Sequence, residues 1–165
     1  MNAPFAALRM AEVSSYQESG ALPAIDAALF EGAPRRGAIL VVEDRDDVRQ
    51  GLAQLLELHG YLVFDAADGT HALEYLRSDP GSIALILLDL LLPEPMSGRD
   101  LRGHQLSDPQ TAGIPTVIIS ACEPDLRGRA QLRPEAWLEK PFRFEVLLKV
   151  VKRYVTPERG GLIDS

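Results

Sequence analysis

Ile39-Leu40-Val41-Val42-Glu43-Asp44 sets four aliphatic side chains, three of them β-branched, directly before two acids. A run this short, apolar at every position, predicts a strand buried on both faces. Downstream, Val48, Leu52, Leu55, Leu56 and His59 recur at helical spacing. They predict an amphipathic helix with Asp46 or Asp47 as its cap and Gly60 as its end. Residues 61–66 are a second strand candidate, and Asp68 opens a helix that turns Ala72, Leu73 and Leu76 inward until Asp79-Pro80-Gly81 stops it. Residues 83–88 repeat the buried-strand pattern and end in Asp89. After the proline-rich loop 93–98 comes a weak helix over 99–106, a strand at 116–119 ending in Ser120, and a short strand at 136–138 ending in Lys140-Pro141. The last helix, 144–155, places Leu147, Val150, Val151 and Tyr154 on one face.

Alternation of apolar strands with helices predicts an α/β fold, a parallel sheet covered on both sides. In such sheets ligands bind outside the carboxyl ends of the strands. Four of the five strands end in chemistry-bearing residues: Glu43-Asp44, Asp89, Ser120 and Lys140. In a parallel sheet these meet at one edge. Two like charges ~4 Å apart repel by about 4 kcal/mol at an effective dielectric near 20, so the acids must take up protons or bind a cation. Carboxylate donors suit magnesium or manganese, not zinc. A carboxylate can also attack phosphorus to give an acyl phosphate, with catalysis by positioning and charge neutralisation. Asp89, after the most apolar strand, is the expected nucleophile. Asp44 is the expected direct metal ligand, with Glu43 acting through a metal-bound water. Lys140 and the Ser120 hydroxyl would each meet a phosphoryl oxygen.

The chain has 165 residues, 46% hydrophobic and 25% charged, enough for one soluble core without covalent staples. A single cysteine, Cys122, excludes a disulfide framework and a cysteine-rich zinc site. The net charge of −7 argues against nucleic-acid binding. No apolar run approaches the ~20 residues of a membrane span, and no signal peptide is evident. A cytoplasmic protein is expected. Residues 1–37 mix Ala, Ser, Gly and Pro with scattered charges and are expected to form a mobile N-terminal extension; residues 24–30 have the length of two helical turns. Residues 38–155 form the domain and 156–165 a C-terminal tail.

The ordered set of motifs resembles the response-regulator receiver domain of two-component signalling. It comprises Ile39-Leu40-Val41-Val42-Glu43-Asp44, Asp68-Gly69-Thr70-His71-Ala72-Leu73, Leu87-Leu88-Asp89-Leu90-Leu91-Leu92-Pro93 with Met96-Ser97-Gly98, Val117-Ile118-Ile119-Ser120-Ala121, and Leu138-Glu139-Lys140-Pro141-Phe142. The resemblance implies a flavodoxin-like three-layer sandwich with strand order 2-1-3-4-5. It implies a regulatory domain rather than a conventional enzyme, whose Asp89 takes a phosphoryl group from a histidine kinase, a phosphotransfer protein or a small phosphodonor. Glu43, Asp44, Asp89 and the backbone carbonyl of Leu91 would hold magnesium. Ser120 would move toward the phosphoryl group, Trp137 stands where the family keeps its switch aromatic, and Lys140-Pro141 would be cis. The resulting switch would alter docking to a downstream protein.

Some features depart from that pattern. The loop from Asp89 to Gly98 is one residue longer, through Glu94-Pro95, and 122–135 carries Pro124, Gly128 and Pro134, so the fourth helix is expected to be short or irregular. Leu91 and Cys122 flank the site two residues past functional positions, where the family tunes phosphoryl lifetime. Bulky Leu91 could hinder an attacking water, and Cys122 reads as a passive small residue. The segment after Val155 leaves no room for an output domain, so a stand-alone receiver is expected, and its last helix could support a homodimer. An alternative is a receiver-like interaction protein that works without phosphorylation. An Asp-nucleophile phosphatase is disfavoured because such enzymes carry an acid/base Asp where this chain has Leu91.

Overall fold

The computed structural model describes residues 35–121 and 125–157. Residues 1–34, with the expected turns at 24–30, Cys122 and residues 158–165 lie outside the described residues. Five parallel strands, β1 (Ala38–Val42), β2 (Val63–Ala66), β3 (Ile83–Leu88), β4 (Thr116–Ser120) and β5 (Ala136–Glu139), form one sheet in the order β2-β1-β3-β4-β5. The helices are α1 (Asp46–Leu58), α2 (Gly69–Ser78), α3 (Gly98–Ser107), α4 (Leu126–Leu132) and α5 (Phe144–Tyr154), with a 3-10 turn at Pro80–Ser82. This is the three-layer architecture and strand order the motifs imply.

Alternate strand residues build two cores, as the period-two geometry of a strand requires. Leu40, Val42, Phe64, Ile86, Leu88 and Ile118 pack toward α2, α3 and α4, with Ala72, Leu76, Leu101 and Leu132 among the buried helix residues. Ile39, Val41, Leu85, Leu87, Val117 and Ile119 pack toward α1 and α5, against Leu52, Leu56, Leu147 and Val151. Both faces of β1, β3 and β4 are thus buried, which is why those strands are apolar at nearly every position.

Local structure differs from expectation in informative ways. β2 starts at Val63 rather than at residue 61, because Tyr61 donates its N–H to the Leu56 carbonyl and closes the α1 turn instead. Neither Asp46 nor Asp47 caps α1. The helix begins one residue earlier, after Arg45, and both acids lie in its first turn, where the positive end of the helix dipole favours them. The buried stripe of α1 is Arg49, Leu52, Ala53 and Leu56, with Leu55 exposed. Helix α2 is capped as expected, Asp68 accepting from the His71 N–H at 2.8 Å. Helix α4 has only seven residues and ends at Arg133 in the left-handed region (φ 42°), which bears out the expected short fourth helix. The ordered contacts reach beyond residue 38: Arg35 pairs with Val155 in an isolated parallel bridge and accepts from the Thr156 N–H at 2.9 Å.

Helix α3 is firmer than its low apolar content predicts. Ser97 and Asp100 form a reciprocal capping box at its start. Its inward face carries a polar cluster. Arg102, 2% exposed, donates to the Leu132 carbonyl at 2.8 Å, the Arg133 carbonyl at 2.6 Å, Gln105 at 2.6 Å and the Thr116 hydroxyl at 2.7 Å. Gln105 in turn donates to the Thr111 and Ile114 carbonyls. Burial pulls the guanidinium below its ordinary pKa, against the attraction of Glu135. The cluster fastens the C-terminal end of α4, whose carbonyls have no further helical partners. Arg102→Ala orphans two carbonyls at ~1–3 kcal/mol each and should destabilise the domain by about 3 kcal/mol in urea unfolding.

Candidate functional site

The ladder bonds continue one residue past three strand ends and so fix the registers of the residues that follow. The Glu43 N–H donates to the Ala66 carbonyl at 3.1 Å, the Asp89 N–H to the Val42 carbonyl at 3.0 Å and the Lys140 N–H to the Ser120 carbonyl at 2.9 Å. Since every strand points the same way, Glu43, Asp89, Ser120 and Lys140 emerge at one edge. Lys140 and Pro141 are joined by a cis peptide bond, as are Glu94 and Pro95 in the long loop.

Lys140 unites the group. Its ammonium donates to Glu43 Oε2 at 2.5 Å and to Asp89 Oδ2 at 2.8 Å. Asp89 Oδ1 accepts from the Leu91 N–H at 2.9 Å, and Glu43 Oε1 accepts from the Arg45 N–H at 3.1 Å. Glu43 is fully buried and Asp89 4% exposed. Asp44 faces solvent. Carboxylate oxygens of Glu43, Asp44 and Asp89 lie within 4.8 Å of one another. The resulting nest is closed beneath by protein and open at Asp44, which suits a hard cation approaching from water.

Burial raises the Glu43 carboxyl above its ordinary 4.5, with the Lys140 and Arg45 hydrogen bonds acting against the rise and the Asp89 charge adding to it. Burial alone would lower the Lys140 ammonium, but its bonds to Asp89 and Glu43 outweigh that and raise it. An unshielded acid cluster next to a single ammonium is thus short of positive charge.

The loop after β3 must fold tightly to place Asp89 in this way. Gly98 donates its N–H to the Leu90 carbonyl at 3.1 Å. A Cβ on Gly98 would overlap the Asp89 carbonyl oxygen and lie 2.6 Å from Leu90 Cα, so only glycine lets α3 start beside the acid.

Of the remaining expected residues, Ser120 is buried at the end of β4, next to β5. Leu91 is 62% exposed beside the nest. Trp137 sits half-buried on β5, opposite Ile118, with the Arg129 guanidinium 5.5 Å over its ring and its indole Nε1 buried without a hydrogen-bond partner among the described residues. It lies on the α4 side of the sheet rather than in the nest. Arg49 is the site-adjacent residue that helix periodicity missed. Its one signal in the sequence is an acid three residues earlier, Asp46, at ion-pairing distance along a helix.

Comparison with known proteins agrees with this geometry. Residues 39–152 match the family described as the response regulator receiver domain. The chain is 37% identical over 113 residues to the alkaline phosphatase synthesis transcriptional regulatory protein SphR of Synechococcus elongatus, covering 63% of this chain and 43% of that protein. It is 32% identical over 117 residues to the sensor kinase CckA of Brucella abortus, covering 69% of this chain and 12% of that protein. The chain therefore spans less than half the length of these relatives. Among solved structures, chemotaxis protein CheY4 of Vibrio cholerae superposes with a TM-score of 0.65 at 26% identity, over 73% of this chain and all of that one. Response regulator TrrA of Thermotoga maritima, determined with Mg(2+)-BeF, gives 0.60 at 27% identity, over 70% of this chain and 96% of that one.

The raised Glu43 carboxyl makes the folded chain hold more protons than the unfolded chain just above pH 4.5, so this group's contribution to stability falls as pH rises through that window. Glu43→Gln should therefore unfold at higher urea than wild type at pH 7 without divalent ions. The gap should close as pH is lowered toward 4.5, and added magnesium should raise the midpoint of wild type more than that of the variant.

Proposed function

The chain belongs to the response regulator receiver domain family, and from that premise we propose that Asp89 is its phosphoryl acceptor. The observation that carries the reading is the Lys140 ammonium shared by Glu43 and Asp89, with Asp44 completing an acid nest within 4.8 Å. A carboxylate oxygen of Asp89 bonds to phosphorus as the P–N bond of a phosphohistidine, or the P–O bond of an acyl phosphate, breaks. The leaving group takes the bonding electron pair and, for the imidazole, a proton. Glu43, Asp44, Asp89 and the Leu91 carbonyl are assigned to a magnesium ion, whose chemistry when bound is to neutralise charge on the phosphoryl oxygens. Manganese fits the same hard donors.

The chain's own groups do the rest. The Leu91 N–H and Lys140 each bind one Asp89 oxygen and so orient the carboxylate. Lys140 then follows the negative charge onto the incoming phosphoryl group as a point charge. Ser120 supplies a hydroxyl donor from the adjacent strand end and moves toward the phosphoryl group. Trp137 reads that movement on the neighbouring strand, so the chain is a switch whose two states differ in what they dock. A histidine kinase or phosphotransfer protein is the assigned donor. Reversal by water, at the same nest, is assigned to the domain itself.

Incubation of the full chain with magnesium and radiolabelled acetyl phosphate should add one labile phosphate, and Asp89→Asn should add none. Unlabelled wild type, folded and with magnesium present, overturns the assignment. Leu91 bears on the lifetime of the product: Leu91→Asn should shorten the phosphoryl half-life by several-fold, seen in the decay of label after donor removal.

A further inference from the structure

Glu43 and Asp44 project from a stretch that the sheet does not hold. Strand β1 ends at Val42, and the Glu43 N–H makes the last ladder bond on that side, to Ala66. The Glu43 carbonyl is met by a helix side chain. It accepts from Arg49 Nη1 at 2.9 Å. That carbonyl belongs to the peptide plane joining Glu43 to Asp44, so its orientation sets the torsions from which both carboxylates leave the backbone.

Arg49 is itself held on two further sides. Its Nη2 donates to Asp46 at 2.6 Å, within α1, and its Nε donates to Asp65 at 3.0 Å, on β2. Three sides of one planar fork are used, toward three separate parts of the chain. A lysine, with one nitrogen, cannot span them. Arg49 is 8% exposed although it opens a surface helix, and its side chain occupies a position where an apolar residue would otherwise face the sheet. Its charge is already matched by Asp46 and Asp65, so a guanidinium this near the nest does not simply compete with a cation there.

We propose that Arg49 is a positioning residue for the acid pair, clamping the Glu43–Asp44 peptide so that both carboxylates are aimed before a divalent cation arrives. The clamp rests on the assignment of the nest as a cation site. Outer partners of metal ligands commonly govern affinity by 10–100-fold.

The test uses manganese as the probe, its binding to the full chain followed by loss of the free-ion paramagnetic resonance signal, with urea unfolding measured on the same samples. Arg49→Met should weaken binding about tenfold. Arg49→Lys should weaken it nearly as much, although the charge is kept. Asp65→Ala, at an exposed position, should weaken it two- to threefold by removing one arm. If removing the charge tightens binding in Arg49→Met while Arg49→Lys binds like wild type, the residue acts as a charge and the clamp is wrong. Unchanged affinity in Arg49→Lys and Asp65→Ala, with only a lower unfolding midpoint, reduces Arg49 to a structural brace and also overturns it. Wild type that binds no manganese overturns the cation-site assignment itself, and the clamp with it.

Discussion

The fold holds three carboxylates within 4.8 Å of one another and gives two of them, Glu43 and Asp89, one ammonium to share. Repulsion between like charges at such separations is worth about 4 kcal/mol at an effective dielectric near 20. A flexible chain would relax it by rotating the acids into water. Here Glu43 and Asp89 leave the sheet on registers fixed by ladder bonds and are buried on arrival, so rotation is closed to them. The parallel sheet is what makes this confinement available. All its strands finish at the same edge, and four of the five contribute polar residues at the point where their hydrogen bonding stops.

Two buried guanidiniums serve the same architecture on opposite faces of the sheet. Arg49, on the α1 side, ties the end of β1 to a helix and to β2. Arg102, on the α3 side, ties the end of α4 to β4. Each donates to backbone carbonyls that regular structure has left over. Isolated buried charges are costly, and these are tolerated because every nitrogen of each fork finds an oxygen. Arginine is suited to both places because a single side chain can satisfy acceptors on several elements at once.

Most of the architecture was legible because buried parallel strands are apolar at nearly every position and all but β2 end in or are followed by an acid, a hydroxyl or a lysine. Glu43, Asp44, Asp89, Ser120 and Lys140 could be read from order alone: strand ends in a parallel sheet converge whatever the loops do. What periodicity concealed were the polar residues on inward helix faces. Arg49 displaces an apolar side chain in the α1 stripe, which rotated the expected buried face onto Leu55. Arg102 and Gln105 made α3 look weak, since a count of apolar residues cannot register a face that is buried through hydrogen bonds. The crowding at Gly98 was equally hidden, because it arises from the approach of α3 to the backbone of Asp89, a contact that exists only in the folded chain.

The bridge between Arg35 and Val155 carries a practical consequence. It brings the chain's entry into β1 and its exit from α5 side by side, at the end of the sheet away from Lys140, roughly 16 Å distant if β1's five residues rise ~3.3 Å each. A fluorophore or affinity handle attached through a spacer beyond either point would leave the acidic edge accessible. Those two neighbouring points would also suit joining by a short peptide, with new termini opened in a surface loop elsewhere.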